Sequence, residues 1–264
     1  MRPLATILNF DHVYQMQPKL KRGRFDWIDL SDVRHTNCYC ESEALAIIQK
    51  RLRSRKAKAI ALSGSGNYHY VTYLFLSDVE MPFTLVLFDH HTDMLPSPCD
   101  SVISCGSWVT TSIEECPLLK HVVIIGARSD LAGIVPAEYS SRVSVFQEGT
   151  LGWVEPSTKH AILSAIPTRN VYVSIDKDVL DEDDAITNWD QGDMRLEELL
   201  DLLSFIARHK DICGLDLCGE YPLSVTPNLS RCMQVARINE KTNRRIFAAL
   251  LGMRQEGAIP QISA

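Results

Sequence analysis

The chain has 264 residues, 45% hydrophobic and 23% charged, enough for one large α/β domain with a sizeable core. A formal net charge of −6 argues against nucleic-acid binding, which calls for a basic face, and accords with a cationic ligand or bound metal. Its eight cysteines form no Cys-x-x-Cys pair, which excludes a zinc ribbon or a thioredoxin-type motif; they read as free thiols of a reducing compartment.

The N-terminal stretch MRPLATILNFDHVYQ has no uninterrupted apolar run before Asp11, and no segment has the length of a membrane span. The expectation is therefore a cytoplasmic chain without signal peptide or membrane partner. An apolar run predicts a first strand at 4–9, and helical spacing predicts a helix at 42–55 with Ser42 as its N-cap. A strand at 58–63 leads to a helix at 67–77, and further strands follow at 83–89, 121–126 and 143–146. The remainder reads as helix 157–166, strand 171–176, helix 195–209, strand 212–218 and helix 229–252. Most strands are continuous β-branched runs, as in strands buried on both faces of a parallel sheet. The alternation predicts a three-layer αβα architecture with a mostly parallel central sheet. With no linker or internal repeat, residues 1–264 read as a single domain.

Open parallel sheets bind ligands beyond the carboxyl ends of their strands. The 83–89 strand runs into Asp89-His90-His91-Thr92-Asp93, and the 171–176 strand into Asp176-Lys177-Asp178. The 58–63 strand is followed by Gly64-Ser65-Gly66-Asn67-Tyr68-His69, and the 212–218 strand by Gly219-Glu220. On extended backbone, positions i, i+2 and i+4 face one way, so each segment can present its ligands together. Carboxylates gathered so closely repel one another unless cations neutralise them. Carboxylates with a few imidazoles and no thiolate suit manganese better than a soft-ligand site. Each motif alone also fits helix capping or a loop turn; together, at strand ends, they predict a metal centre. Asp176-x-Asp178 is no calcium loop, because Leu180 falls at the fifth position and no glycine follows.

These residues resemble the arginase and agmatinase family of ureohydrolases, distant relatives of the histone deacetylases. Asp89-His90-His91-Thr92-Asp93 resembles the family's Asp-Ala-His-x-Asp motif, and Ser174 to Asp181 resembles its Ser-x-Asp-x-Asp-x-Leu-Asp motif. Gly66-Asn67-Tyr68-His69 loosely matches the turn that supplies the family's first histidine, and Glu220 its guanidinium-binding glutamate. The likeness covers roughly residues 58–220. It implies two manganese ions, or other divalent metals, bridged by Asp89 and Asp176. His69 and Asp93 would complete one shell, and His91 and Asp178 the other. A hydroxide shared by the metals and oriented by Asp93 would attack the guanidinium carbon, giving urea and an amine. Glu220 would hold the guanidinium by charge-assisted hydrogen bonds.

The chain also departs from the family. Ser104-Cys105-Gly106-Ser107-Trp108 occupies the place of the proton-shuttling histidine, making Cys105 either a shuttle or a small buried hydrophobe. Met94-Leu95-Pro96-Ser97-Pro98 replaces the residues that grip free arginine, so a simpler guanidine or an arginine-containing peptide is as suitable a substrate. Thr187 to Gly192 replaces a further motif, nominating Trp189 and Asp190 as an aromatic face and a carboxylate for a cation. His90 is expected to point away from the metals, and Tyr68 and Tyr70 to serve packing. Two rival functions remain: hydrolysis of an amide C–N bond, as in deacetylases, and a catalytically silent binding protein. Oligomeric state is left open, a homo-oligomer included.

Overall fold

In the computed structural model, residues 3–97, 99–130, 135–149, 152–223 and 228–255 are described. The strands are β1 (Ala5–Asn9), β2 (Phe25–Asp29), β3 (Tyr39–Glu41), β4 (Ile60–Leu62), β5 (Phe83–Phe88), β6 (Val102–Ser104), β7 (Leu119–Ala127), β8 (Val143–Gln147), β9 (Asn170–Asp176) and β10 (Asp211–Cys218). The helices are α1 (Pro18–Lys21), α2 (Ser42–Leu52), α3 (Thr72–Leu76), α4 (Trp108–Glu115), α5 (Pro156–Ser164), α6 (Leu196–His209) and α7 (Leu229–Gln255).

Eight strands form one sheet in the order β2-β1-β4-β10-β9-β5-β7-β8, and every neighbouring pair is parallel. Side chains alternate across it. Val86 and Phe88 of β5 and Val171, Val173 and Ile175 of β9 face a layer containing α5, α6 and α7. Leu85 and Leu87 of β5, Ile124 of β7 and Tyr172 of β9 face the layer of α2, α3 and α4. The three-layer αβα expectation is met, with a wholly parallel sheet. Because β4, β10, β9 and β5 are adjacent in that order, the four strand ends singled out from the sequence share one rim.

Three strands and two helices lie outside the expected set. β2 is an edge strand carrying Asp26 and Asp29, and its mixed pattern hides it among loop residues. β3 and β6 make a separate antiparallel ribbon, each of three residues. α4 contains Val109, Thr110 and Thr111, poor helix formers in isolation; burial of Trp108, Val109 and Ile113 stabilises it instead. The four-residue α1, opened by Pro18, is too short to show helical spacing. Ser42 is a correction: Glu41 occupies the N-cap position, and the Ser42 hydroxyl donates to the Ser101 carbonyl at 2.9 Å. The expected helix at 67–77 divides into a 3-10 turn over Gly66–Val71 followed by α3.

Candidate metal centre

β5 ends at Phe88, and the chain delivers Asp89, His91 and Asp93 into a cavity of about 380 Å3 at the carboxyl edge of the sheet. His69, from the 3-10 turn after β4, and Asp176 and Asp178, from the end of β9, line the same cavity. All six residues named as metal ligands therefore converge. His69 Nδ1 lies 3.3 Å from Asp89 Oδ2, 3.1 Å from Asp93 Oδ2 and 3.6 Å from Asp176 Oδ2. His91 Nδ1 lies 3.0 Å from Asp178 Oδ2 and 3.5 Å from Asp89 Oδ1. Two ligand groups result, His69/Asp89/Asp93 and Asp89/His91/Asp178, within each of which the donor atoms lie no more than 4.8 Å apart. Asp89 belongs to both, one oxygen facing each histidine.

Local structure holds these side chains in place. His69 Nε2 is paired with the Ser174 hydroxyl at 2.9 Å, which leaves Nδ1 facing the carboxylates. Asp93 adopts a left-handed backbone, φ 52°, uncommon for a non-glycine residue, and Trp108 Nε1 donates to its Oδ2. The Asp178 backbone N–H donates to Asp176 Oδ1 at 3.0 Å, and the His90 N–H to Asp178 Oδ1 at 3.1 Å. Gly66 must be glycine, since a Cβ there would fall 2.8 Å from Asp176 Oδ2.

Burial and mutual repulsion govern the charges. Burial and then the Asp89 charge push Asp93 up to about 6. Asp176 is raised by burial and by Asp89, and Asp178 well above the usual carboxylate range by burial, Asp176 and Asp89. Burial acts against charge on Asp89 too, but the His69 and His91 imidazoles close beside it outweigh burial and hold that carboxyl low. His91 is raised because its hydrogen bonds to Asp178 and Asp89 overcome burial. Asp89 Oδ2 is buried without a hydrogen-bond partner. A buried carboxylate oxygen without a donor, amid oxygen and imidazole ligands, fits divalent cations of the manganese type.

Trp189 and Asp190 also line the cavity, as expected. Trp189 is 38% exposed, and its Nε1 donates to Asn67 Oδ1 at 3.0 Å. Asp190 pairs with His91 Nε2 at 3.0 Å and with Arg128. Sequence reasoning missed Arg128, which follows β7 at the same rim, and also Cys38, Tyr39 and Leu95 on the cavity wall. Cys105 lines the cavity; Pro98, in the segment that replaces the arginine grip, lies outside the described residues. His90 turns from the ligand groups toward Glu148 and Asp190, and Tyr68 and Tyr70 pack against Phe10 and Thr36. A third donor group, His69, Asp176 and Cys218, brings in a buried thiol that donates to Asp176 Oδ2 at 3.0 Å.

Glu220 is the correction at this site. It does not line the cavity; its carboxylate is 2% exposed and pairs with the fully buried Lys177. Gln17, Asn239 and Asn243 donate to the same two oxygens, so the carboxylate is already fully partnered away from the cavity. The residue facing the ligands from the end of β10 is Gly219, at φ 85°, where a Cβ would fall 2.4 Å from Asp176 Oδ1. Two adjacent positions on a strand point to opposite sides, so a one-residue difference in placement moves the carboxylate out of the cavity.

The sequence matches the arginase family model over residues 5–236, and the chain belongs to the arginase family. An uncharacterized protein of Thermotoga maritima is 35% identical over 153 residues, 58% of this chain and 54% of that protein, so the match spans about half of the curated relative. Among solved structures, proclavaminate amidino hydrolase from Streptomyces clavuligerus superposes with a TM-score of 0.65 at 17% identity, covering 94% of this chain and 93% of that one. Trypanosoma cruzi formiminoglutamase, solved with Mn2+, gives a TM-score of 0.61 at 13% identity, covering 91% and 92%. At such identities the likeness establishes the fold. The molecule is thus an arginase-family protein with a three-layer α/β fold and a cluster of candidate metal ligands.

Proposed function

We propose that this chain hydrolyses the C–N bond of a guanidino group, releasing urea and an amine, with two divalent cations, manganese by donor chemistry, held by the six converging residues. The observation that carries the reading is the sharing of Asp89 between two donor groups, an arrangement in which one carboxylate would serve both cation positions. Bound there, the cations lower the pKa of water toward neutrality. His69 and Asp93 hold one position, and His91 and Asp178 the other, with Asp176 beside His69. Trp108 fixes the Asp93 carboxylate, which orients the attacking water by accepting a hydrogen bond and takes up its proton. Trp189 offers an aromatic face to the planar cation, and Asp190 a carboxylate beside His91. Cys105 lies on the cavity wall, within reach of a proton-shuttling role. A small guanidine or a peptidyl arginine suits a cavity of about 380 Å3 lined in part by Trp189.

A second reading is favoured by one observation: Glu220 is committed to Lys177, so no strand-end carboxylate grips a guanidinium. The C–N bond of a neutral amide asks for no such clamp. The two readings separate on product. With manganese-loaded protein, urea from agmatine, guanidino acids or arginine-containing peptides supports the first. Ammonia or a carboxylate from amides, with no urea from any guanidine, replaces it with the second.

A further inference from the structure

β3 and β6 run antiparallel with Tyr39 opposite Ser104, Cys40 opposite Ile103 and Glu41 opposite Val102. Carried one residue toward the metal centre, that register sets Cys38 opposite Cys105. The Cys105 N–H donates to the Cys38 carbonyl at 2.9 Å, as expected of a facing pair. Both side chains line the cavity, and both are free thiols partly open to solvent. Facing residues of an antiparallel pair lie about 4.5–5.5 Å apart at Cα, inside the span of roughly 4.4–6.8 Å that a disulfide bridges. Cys38 is held in this place against its own backbone preference. Its φ is 63°, and its N–H donates to the Asn67 carbonyl at 3.2 Å.

We propose that Cys38 and Cys105 are a redox-active pair that closes to a disulfide across the cavity wall when the protein meets hydrogen peroxide. A hydrogen bond from Cys105 brings the Cys38 thiol down to about 7, giving it the thiolate character that peroxide chemistry requires. The Cys38 thiolate attacks one peroxide oxygen, the O–O bond breaks, and hydroxide leaves and is protonated to water. The resulting Cys38 sulfenic acid is attacked by the Cys105 sulfur, which gives up its proton. The S–O bond breaks, a second water leaves, and the S–S bond forms. The two thiols lose two electrons and the hydrogen peroxide gains them. The new bond ties the segment entering β3 to the turn after β6, whose Gly106 carbonyl holds the Leu95 N–H on the cavity wall at 2.8 Å. Oxidation therefore fixes this stretch of the cavity wall, and a dithiol reverses it.

The test is peptide mapping of the full-length, reduced protein after limited hydrogen peroxide and thiol blocking, with thermal melts run on each variant. The expected result is a Cys38–Cys105 disulfide as the main oxidised species, loss of two free thiols per chain, and full recovery with dithiothreitol. Cys105→Ser is expected to stop at a trappable sulfenic acid on Cys38, and Cys38→Ser to form no such disulfide. Oxidation falling on the exposed Cys99 while Cys38 and Cys105 stay free overturns the proposal. So does absence of the disulfide in wild-type protein equilibrated with oxidised glutathione. Neither readout depends on the hydrolytic reading.

Discussion

Lys177 lies in sequence between the two acidic candidate ligands Asp176 and Asp178, yet its ammonium group turns away from them and ends on Glu220, both side chains almost fully withdrawn from solvent. Through Gln17, Asn239 and Asn243, the same carboxylate joins the segment after β1 to α7. The pair is a buried brace beneath the candidate metal centre, and it offsets the cost of burial only while both partners remain. Removing one side of such a pair costs roughly 3–5 kcal/mol. Lys177→Met and Glu220→Gln should each lose about that much in denaturant unfolding, and the double variant clearly less than the sum. Strict additivity would show that the two groups do not depend on each other.

Asp89 has one oxygen toward each histidine, whereas Asp178 sits beside His91 alone. Asp89→Asn should therefore weaken both cation positions, and Asp178→Asn chiefly one. Counting manganese in protein dialysed against a fixed concentration of free metal distinguishes them. Equal losses in the two variants would contradict the sharing of Asp89.

Proton competition sets a pH dependence. Asp93 titrates at about 6 in the folded chain against 3.8 in its unperturbed state, so between those values the metal-free native state holds a proton that the unfolded state has lost. Its contribution to metal-free stability is thus full below about pH 4 and declines as the pH rises through 6. A divalent cation held there would displace that proton, and those of the raised His69 and His91 as well, so its affinity should fall steadily as the pH drops toward and through 6. Metal titrations by calorimetry at several pH values check this; an affinity that is flat between pH 5 and 7 would remove Asp93 from the ligand set.

Much of this was legible in the sequence, and the reasons are physical. Continuous apolar runs such as Phe83–Phe88 and Asn170–Asp176 mark central strands buried on both faces, and a ligand motif following each points to their common edge. Short, half-exposed pieces such as Phe25–Asp29 and Tyr39–Glu41 carry no such pattern, because their structure comes from pairing rather than from burial. The misplacement of Glu220 has another origin. Gly219 takes a left-handed backbone at the end of β10, and no periodicity announces which of the two neighbours faces the cavity. Arg128 and Cys38 reach the cavity from segments without any ligand motif, and only the fold brings them there.

Gly219 itself is testable. A methyl group there would press on Asp176 Oδ1 at 2.4 Å and on the Lys177 backbone N at 2.6 Å, at a φ that disfavours any side chain. Gly219→Ala should destabilise the fold by about 1–3 kcal/mol and weaken metal binding more than a distant substitution of equal cost. Chemical denaturation and metal titration of the same preparation measure both; wild-type metal affinity in a destabilised variant would place Gly219 outside the centre.

At the rim, Asp190 joins His91 to Arg128. The hydrogen bond with His91 lowers the Asp190 carboxyl despite partial burial, so it is charged near neutral pH. Asp190→Asn should raise KM for a cationic substrate roughly tenfold, with a smaller change in kcat, since about 1.4 kcal/mol of binding corresponds to that factor. Steady-state kinetics decide; a loss confined to kcat would assign Asp190 to His91 rather than to substrate.

The most direct test joins metal count to product. Purified protein loaded with manganese is assayed for bound metal and for urea released from a panel of guanidines, beside Asp176→Asn. The expected result is about two metals per chain, urea from one guanidine class, and loss of both in the variant. Fewer than two metals, or two metals with no urea from any guanidine, would contradict the two-metal guanidine hydrolase proposed here.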